Sequence, residues 1–338
     1  MNTPADLTYQ AADGHVGRLR LAGGQVAPGT WARIAELAEL GDGRIHLTTR
    51  GNLRVRGIRN PEAFNTAAQA AGFRSGASLI ASPLARLQNV IGQVEEIATT
   101  AALAGILLGI DDGGGDILSQ RPDLGLQLDQ PRENARLIRQ GEVSEVSLPL
   151  AQALVALRNA CGEVDGRQLP TTAGSLPEPP VGWTPKPPSG WTPEPLVGWI
   201  PETDGSVTLA AGLKFGVLEA RVAQMLDVIE ADTTVTPWQG LLIHGLSESI
   251  ADQVLRVLAP LGLIFNAESP WLRVSACIAA PGCRHALSEV RSDAAQAAAS
   301  GIPARLHFVG CSRNCGRPKG PHTLYQATGE GEYEVIEG

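Results

Sequence analysis

Four cysteines near the C-terminus carry the strongest chemical signal in this sequence. Cys277 and Cys283 have five residues between them in CIAAPGC, and Cys311 and Cys315 have three between them in CSRNC. Thiolates are the ligands of iron-sulfur clusters, and two close pairs brought together by a fold can present four sulfurs to one 4Fe-4S cubane. Zinc ribbons and fingers use tighter C-x2-C pairs, and ordinary ferredoxin spacings differ from both pairs here. Disulfides suit small secreted domains, but the opening residues MNTPADLTYQ lack the basic start and apolar core of a signal peptide, so the cytoplasm is the expected compartment. A cubane is therefore expected, with zinc as the next alternative and disulfides as the last. Cys161, in the helix-like ALVALRNAC, reads as a buried inert thiol.

A basic strand is the second feature. From Ile45 to Ile58 the positions Ile45, Leu47, Leu53 and Val55 are apolar, while His46, Thr48, Arg50, Asn52, Arg54 and Arg56 are polar or cationic. Such alternation turns one face to a core and sets three guanidiniums on the other. A hairpin at Gly51-Asn52 is the rival reading, but parity runs through those residues, which favours one extended strand bulged at Gly51. Arginines bind carboxylates bidentately, so this face suits a multiply anionic ligand; a solvated strand face is the plainer alternative. Further basic groups, Arg284, His285, Arg313, Arg317, Lys319 and His322, surround the cysteines and would stabilise a negatively charged cluster. Asp111, Asp112 and Asp116 flank three glycines and read first as a turn. An oxygen-rich site for a mononuclear non-haem iron is the sharper alternative, with no facial-triad spacing to support it.

The elements that must position these groups come in duplicate. Shifting residues 19–58 by 188 positions lays them on 207–246 without a gap and matches, among nine identities, Gly24 with Gly212, Arg33 with Arg221, Thr48 with Thr236 and Leu53 with Leu241. Each copy reads as strand, helix, strand: GRLRLAG, WARIAELAEL and IHLTTRGNLRVRGI in the first, SVTLAAG, LEARVAQMLDVIE and TVTPWQGLLIHGL in the second. Trp238 falls opposite Arg50 and His244 opposite Arg56, so the second copy is less suited to anions. Such units leave strand edges or faces uncovered and are expected to pair about a pseudo-twofold axis. Residues 169–203 hold ten of the 24 prolines and three Gly-Trp steps at Gly182-Trp183, Gly190-Trp191 and Gly198-Trp199, the composition of a semi-rigid spacer.

With 338 residues, 43% of them hydrophobic, the chain can bury two or three cores. A net charge of -8 argues against a general nucleic-acid binder, and the longest apolar stretch, ATTAALAGILLGI, is too short to span a bilayer. No G-x-G-x-x-G follows a strand, so a nicotinamide is not expected to bind in the usual way.

The cysteine spacing, the Gly-Cys in HFVGCSRNCGRP and the earlier T-T-R in RIHLTTRGNLRVRGI together resemble the sulfite and nitrite reductase superfamily over nearly the whole chain. Within it, the stretches ACIAAPGCRHALSEVR and GCSRNCGRPKGPHTLYQATGEGEYEVIEG look most like the precorrin-3B synthase family. The resemblance implies an α+β fold in which ferredoxin-like half-domains (1–75 and 204–268) alternate with catalytic halves (76–168 and 269–338), the linker 169–203 lying between. SPLARLQNV and SPWLRVSAC are expected to open the two catalytic halves, and only the second holds a cluster. By resemblance, Arg50 of T-T-R contacts tetrapyrrole carboxylates; His46, Thr48, Asn52, Arg54 and Arg56 join it by parity alone. The implied substrate is an anionic tetrapyrrole, precorrin-3A, with dioxygen and an electron-donating reductase as partners. The alternatives are a short sirohaem-dependent nitrite or sulfite reductase, in which Cys315 bridges cluster and haem, and a cluster protein that only carries electrons.

Overall fold

The 188-residue offset reappears as two copies of one fold in the computed structural model, which describes residues 6–100, 103, 105–164, 196–318 and 320–337. The first copy runs β1 (Thr8–Ala11), β2 (Gly14–Leu19), β3 (Gln25–Val26), α1 (Thr30–Glu39), β4 (Arg44–Leu47), β5 (Leu53–Ile58) and α2 (Pro61–Ala70). Next come β6 (Ser78–Ala81), α3 (Gln88–Thr100), β7 (Leu107–Asp111), β8 (Leu124–Leu128), β9 (Asn134–Arg139), β10 (Glu142–Pro149) and α4 (Leu150–Val164). The second copy follows as β11 (Gly198–Pro201), β12 (Val207–Leu213), β13 (Val217–Glu219), α5 (Ala220–Val228), β14 (Thr233–Val235), β15 (Leu241–Leu246), α6 (Glu248–Leu258) and β16 (Leu263–Ile264). The chain ends with β17 (Val274–Ala276), α7 (Val290–Ala299), β18 (Leu306–Val309), β19 (Thr323–Gly329) and β20 (Glu332–Glu337).

Two compact units result, one made of residues 1–75 with 194–338 and the other of 76–193. In the first unit the half-domain sheets run β1-β2-β5-β4-β13 and β11-β12-β15-β14-β3, with β16 paired to β12. Each copy thus lends a strand to the other's sheet, which covers the edges that β4 and β14 would otherwise expose. Gly24 permits one of these crossings: its φ is +74°, and a Cβ there would stand 2.1 Å from the carbonyl oxygen of Val235. Helices α1 and α5 pack together beneath, and the Trp31 indole N-H donates to the Thr233 hydroxyl at 2.7 Å inside a single apolar core shared by both copies.

The reading of residues 45–58 as one strand is overturned. The chain turns back between β4 and β5, where the Thr48 amide donates to the Asn52 carbonyl at 2.9 Å and Gly51 takes φ +62°. The second copy repeats the hairpin, with Thr236 donating to Gly240 at 2.9 Å and Gln239 at φ +61°. Leu47 pairs directly with Leu53 across the hairpin, and antiparallel partners share a face, so the parity that suggested continuity is equally a property of the turn.

The segments 76–168 and 269–338 share a topology. In residues 76–168, β6, β7 and β8 are parallel, followed by antiparallel β9 and β10; in 269–338, β17, β18 and β19 are parallel, followed by antiparallel β20. The expected correspondence of SPLARLQNV with SPWLRVSAC does not hold, because Ser82 follows β6 whereas Ser269 precedes β17. Of the three Gly-Trp steps, Gly182-Trp183 and Gly190-Trp191 lie outside the described residues, and Gly198-Trp199 belongs to β11, the edge strand of the second half-domain sheet. Cys161 is fully buried in α4, and burial pushes its thiol up to about 11. Among the described residues, no helix is long and apolar enough to cross a membrane.

A cysteine-floored cleft in the first unit

Parallel strands β17 and β18 bring the two cysteine pairs together at their C-terminal ends. Cys277 directly follows β17, and Cys311 stands two residues beyond β18. All four are free thiols, so the disulfide alternative finds no bond. The Gly310 amide donates to the Cys277 sulfur at 3.3 Å, and the Ala279 amide also favours its thiolate, as expected where backbone N-H groups stabilise cluster sulfurs. Burial, foremost, and the neighbouring cysteines hold the Cys277 and Cys315 thiols above their ordinary range, so cluster assembly must release protons here.

Above Cys277, Cys283 and Cys315 opens a cleft of about 450 Å³, within the range of small-molecule sites. The β4–β5 hairpin supplies His46, Thr48, Arg54 and Arg56; the second half-domain supplies Phe215 and Gln239; the cluster loops add Arg284, His285 and Arg313. Gln239, at the turn of the second hairpin, donates its amide to the Leu47 carbonyl at 2.8 Å and so ties the two hairpins together at the cleft.

The basic face divides on inspection. Arg54 is exposed, lines the cleft and is close enough to Cys315 to favour its thiolate. Arg56 is only 6% exposed. Its Nε and Nη2 donate to the two Asp13 oxygens, both at 2.9 Å, and Nη2 also donates to the Gly282 carbonyl at 2.6 Å. This residue therefore tethers the hairpin to the CIAAPGC loop, and its charge is matched by Asp13, contrary to the expected role in anion binding. It escapes alternation because the register of β5 against β2 shifts near Gly57, leaving both Val55 and Arg56 inside. Asn52 is likewise structural, accepting from the Leu21 amide at 2.8 Å. Thr48 lines the cleft, but its hydroxyl accepts from the Arg50 and Asn52 amides within the turn. Arg50 is exposed in that turn and is not among the residues lining the cleft. Burial holds His46 below its ordinary pKa despite Asp42, 3.6 Å away, so the imidazole is neutral at the cleft wall.

Three positions that the sequence reading passed over prove central: His307, Arg291 and Ser275. His307 is buried on β18, and burial pushes it down to about 4. Its Nε2 stands 3.2 Å from the Cys315 carbonyl, which can only accept, so the proton sits on Nε2 and Nδ1 accepts from Ser275 at 2.8 Å. The chain from Ser275 to His307 to Cys315 fixes the second cysteine loop to both parallel strands. The available signal was a histidine within the otherwise apolar strand LHFV. Of the other basic residues, Arg317 donates to His322 at 3.0 Å within the loop, and Lys319 lies outside the described residues.

The acidic alternative is resolved in the second unit. Asp111 is fully buried at the end of β7, and its two oxygens accept from the amides of Gly113, Gly115, Ile117 and Leu118 and from Gln127. Burial raises Asp116 to about 7, against the opposing bond from Ser82. Asp111, Asp112 and Asp116 lie close enough to share an ion, but a carboxylate saturated by N-H donors has no lone pair left to offer one. These residues do not fit an iron site; they organise a glycine turn.

Residues 9–65 match the family described as the nitrite/sulfite reductase ferredoxin-like half domain. The chain has the fold of that superfamily. The structure of the NirA protein of Mycobacterium tuberculosis is similar over 96% of this chain and 73% of that chain, with a TM-score of 0.67 and 16% identity. At that identity the likeness is one of fold. None of the curated proteins matches in sequence. In this nitrite/sulfite reductase-like fold, the cysteine loops and the first hairpin face one cleft.

Proposed function

We propose that the chain is an oxygen-dependent hydroxylase of an anionic modified tetrapyrrole, carrying out the precorrin-3B synthase reaction on precorrin-3A. One observation supports the reading most: exposed guanidiniums, led by Arg54, and three of the four cysteines, Cys277, Cys283 and Cys315, meet in one cleft, which joins a binder of carboxylates to a holder of a redox cluster. The resemblance of the C-terminal stretch supports the choice of substrate.

Arg54, Arg284 and Arg313 hold the acetate and propionate arms of the macrocycle, while neutral His46 and the Gln239-to-Leu47 bond shape the wall without adding charge. Cys277, Cys283, Cys311 and Cys315 hold the cluster, with His307 and the Gly310 amide fixing its loops. When bound, a 4Fe-4S cluster passes electrons one at a time. In the overall reaction one atom of dioxygen becomes a hydroxyl on a meso carbon as a ring A acetate closes to a lactone. The other atom leaves as water, taking two electrons that NADH provides through a separate reductase and two protons, one from NADH and one from the medium.

An absorption spectrum of the purified protein tests this against the alternatives. A broad cluster shoulder without a Soret band is expected, and added precorrin-3A should be retained by the protein. A tightly bound sirohaem, with its strong Soret and long-wavelength bands, would instead favour the reductase. A cluster protein that ignores the tetrapyrrole would be a carrier.

A further inference from the structure

Arg291 lines the cleft, and the proposed chemistry leaves it without a role. It occupies the first turn of α7, where Glu289 caps the helix by accepting from the Arg291 and Ser292 amides at 3.0 Å each. The capped turn aims the side chain at the cysteine loop. Its Nε donates to the Cys277 carbonyl at 3.2 Å, and its guanidinium lies 5.6 Å from the Phe215 ring centroid. The neighbouring cation is already matched, since Arg56 is held by Asp13 and Gly282. Arg291 has no such carboxylate among its described hydrogen-bond partners, because that of Glu289 is occupied at the helix cap. Burial opposes its charge, and the Cys277 sulfur is the foremost group that favours it.

We infer that Arg291 is a positioning residue that supplies the counter-charge of the cluster, holding Cys277 by its carbonyl and stabilising the reduced state. The inference rests on the cluster reading above. A cubane on four thiolates gains one negative charge on reduction, so a fixed cation beside one ligand favours the reduced form over the oxidised one. Because the guanidinium is partly buried, solvent and salt screen it little. Lysine keeps the charge and loses the planar donor fork, whereas glutamine keeps a donor and loses the charge.

The test is a redox titration of the holoprotein, followed by electron paramagnetic resonance, on the parent, R291Q and R291K, with iron and sulfide contents measured for each. At the parent's midpoint potential, R291Q should show a roughly tenfold lower ratio of reduced to oxidised cluster, equivalent to about 59 mV for one electron. R291K should stay within about threefold of the parent, and should retain the cluster even if R291Q loses it. An unshifted midpoint in R291Q, equal shifts in both variants, or loss of the cluster from R291K overturns the inference while leaving the cluster reading intact. A parent protein without iron and sulfide overturns the cluster reading, and this inference with it.

Discussion

A Cys311→Ser protein should fold and yet emerge with almost no iron or acid-labile sulfide, against about four of each per chain in the parent. The same loss is expected for Cys277, Cys283 and Cys315, because a cubane that lacks one of its thiolates exposes an iron to solvent and comes apart. Cys161→Ser is the control. That thiol is fully buried in α4 of the other unit, so its serine variant should keep a full complement of iron. Iron retained in any one of the four ligand variants would remove that cysteine from the set.

Arg54→Ala should weaken tetrapyrrole binding by about 1.5–3 kcal/mol, roughly ten- to 150-fold, whereas Arg50→Ala should change it by less than about 0.5 kcal/mol. The contrast departs from what resemblance alone implies for Arg50. Arg54 lines the cleft beside Cys315, while Arg50 sits in the hairpin turn away from the lining residues. A charge-assisted bond in a partly dry cleft is worth several times one in open water, which sets the size of the expected difference. Fluorescence or absorbance titration with the tetrapyrrole measures both. Equal losses in the two variants would return Arg50 to the binding face.

The duplication and the cysteines were legible in the sequence because each rests on a local rule. The same offset of 188 that aligned residues 19–58 also relates β5 (Leu53–Ile58) to β15 (Leu241–Leu246), and apolar periodicity survives even where identities are few. Thiolate spacing is legible because a metal centre demands particular atoms. The hairpin was not, since Leu47 and Leu53 are paired across it and keep the parity of a straight strand. Nor was the fate of Arg56, whose burial depends on a register shift in β5 and on Asp13, 43 residues away. The roles of His307 and Arg291 follow from backbone carbonyls that the fold brings near, and no motif records a carbonyl. SPLARLQNV and SPWLRVSAC show the converse failure, alike as strings but on opposite sides of their strands.

The central claim, that this cleft oxygenates a tetrapyrrole, is tested most directly by the fate of labelled dioxygen. The holoprotein is given precorrin-3A, an electron source and isotopically labelled dioxygen, and the product is weighed. One labelled oxygen atom should appear in the macrocycle, the other in water, with no turnover under strict anaerobiosis and none in Cys311→Ser. Label found only in water, or an unaltered tetrapyrrole alongside consumption of sulfite or nitrite, would contradict the claim.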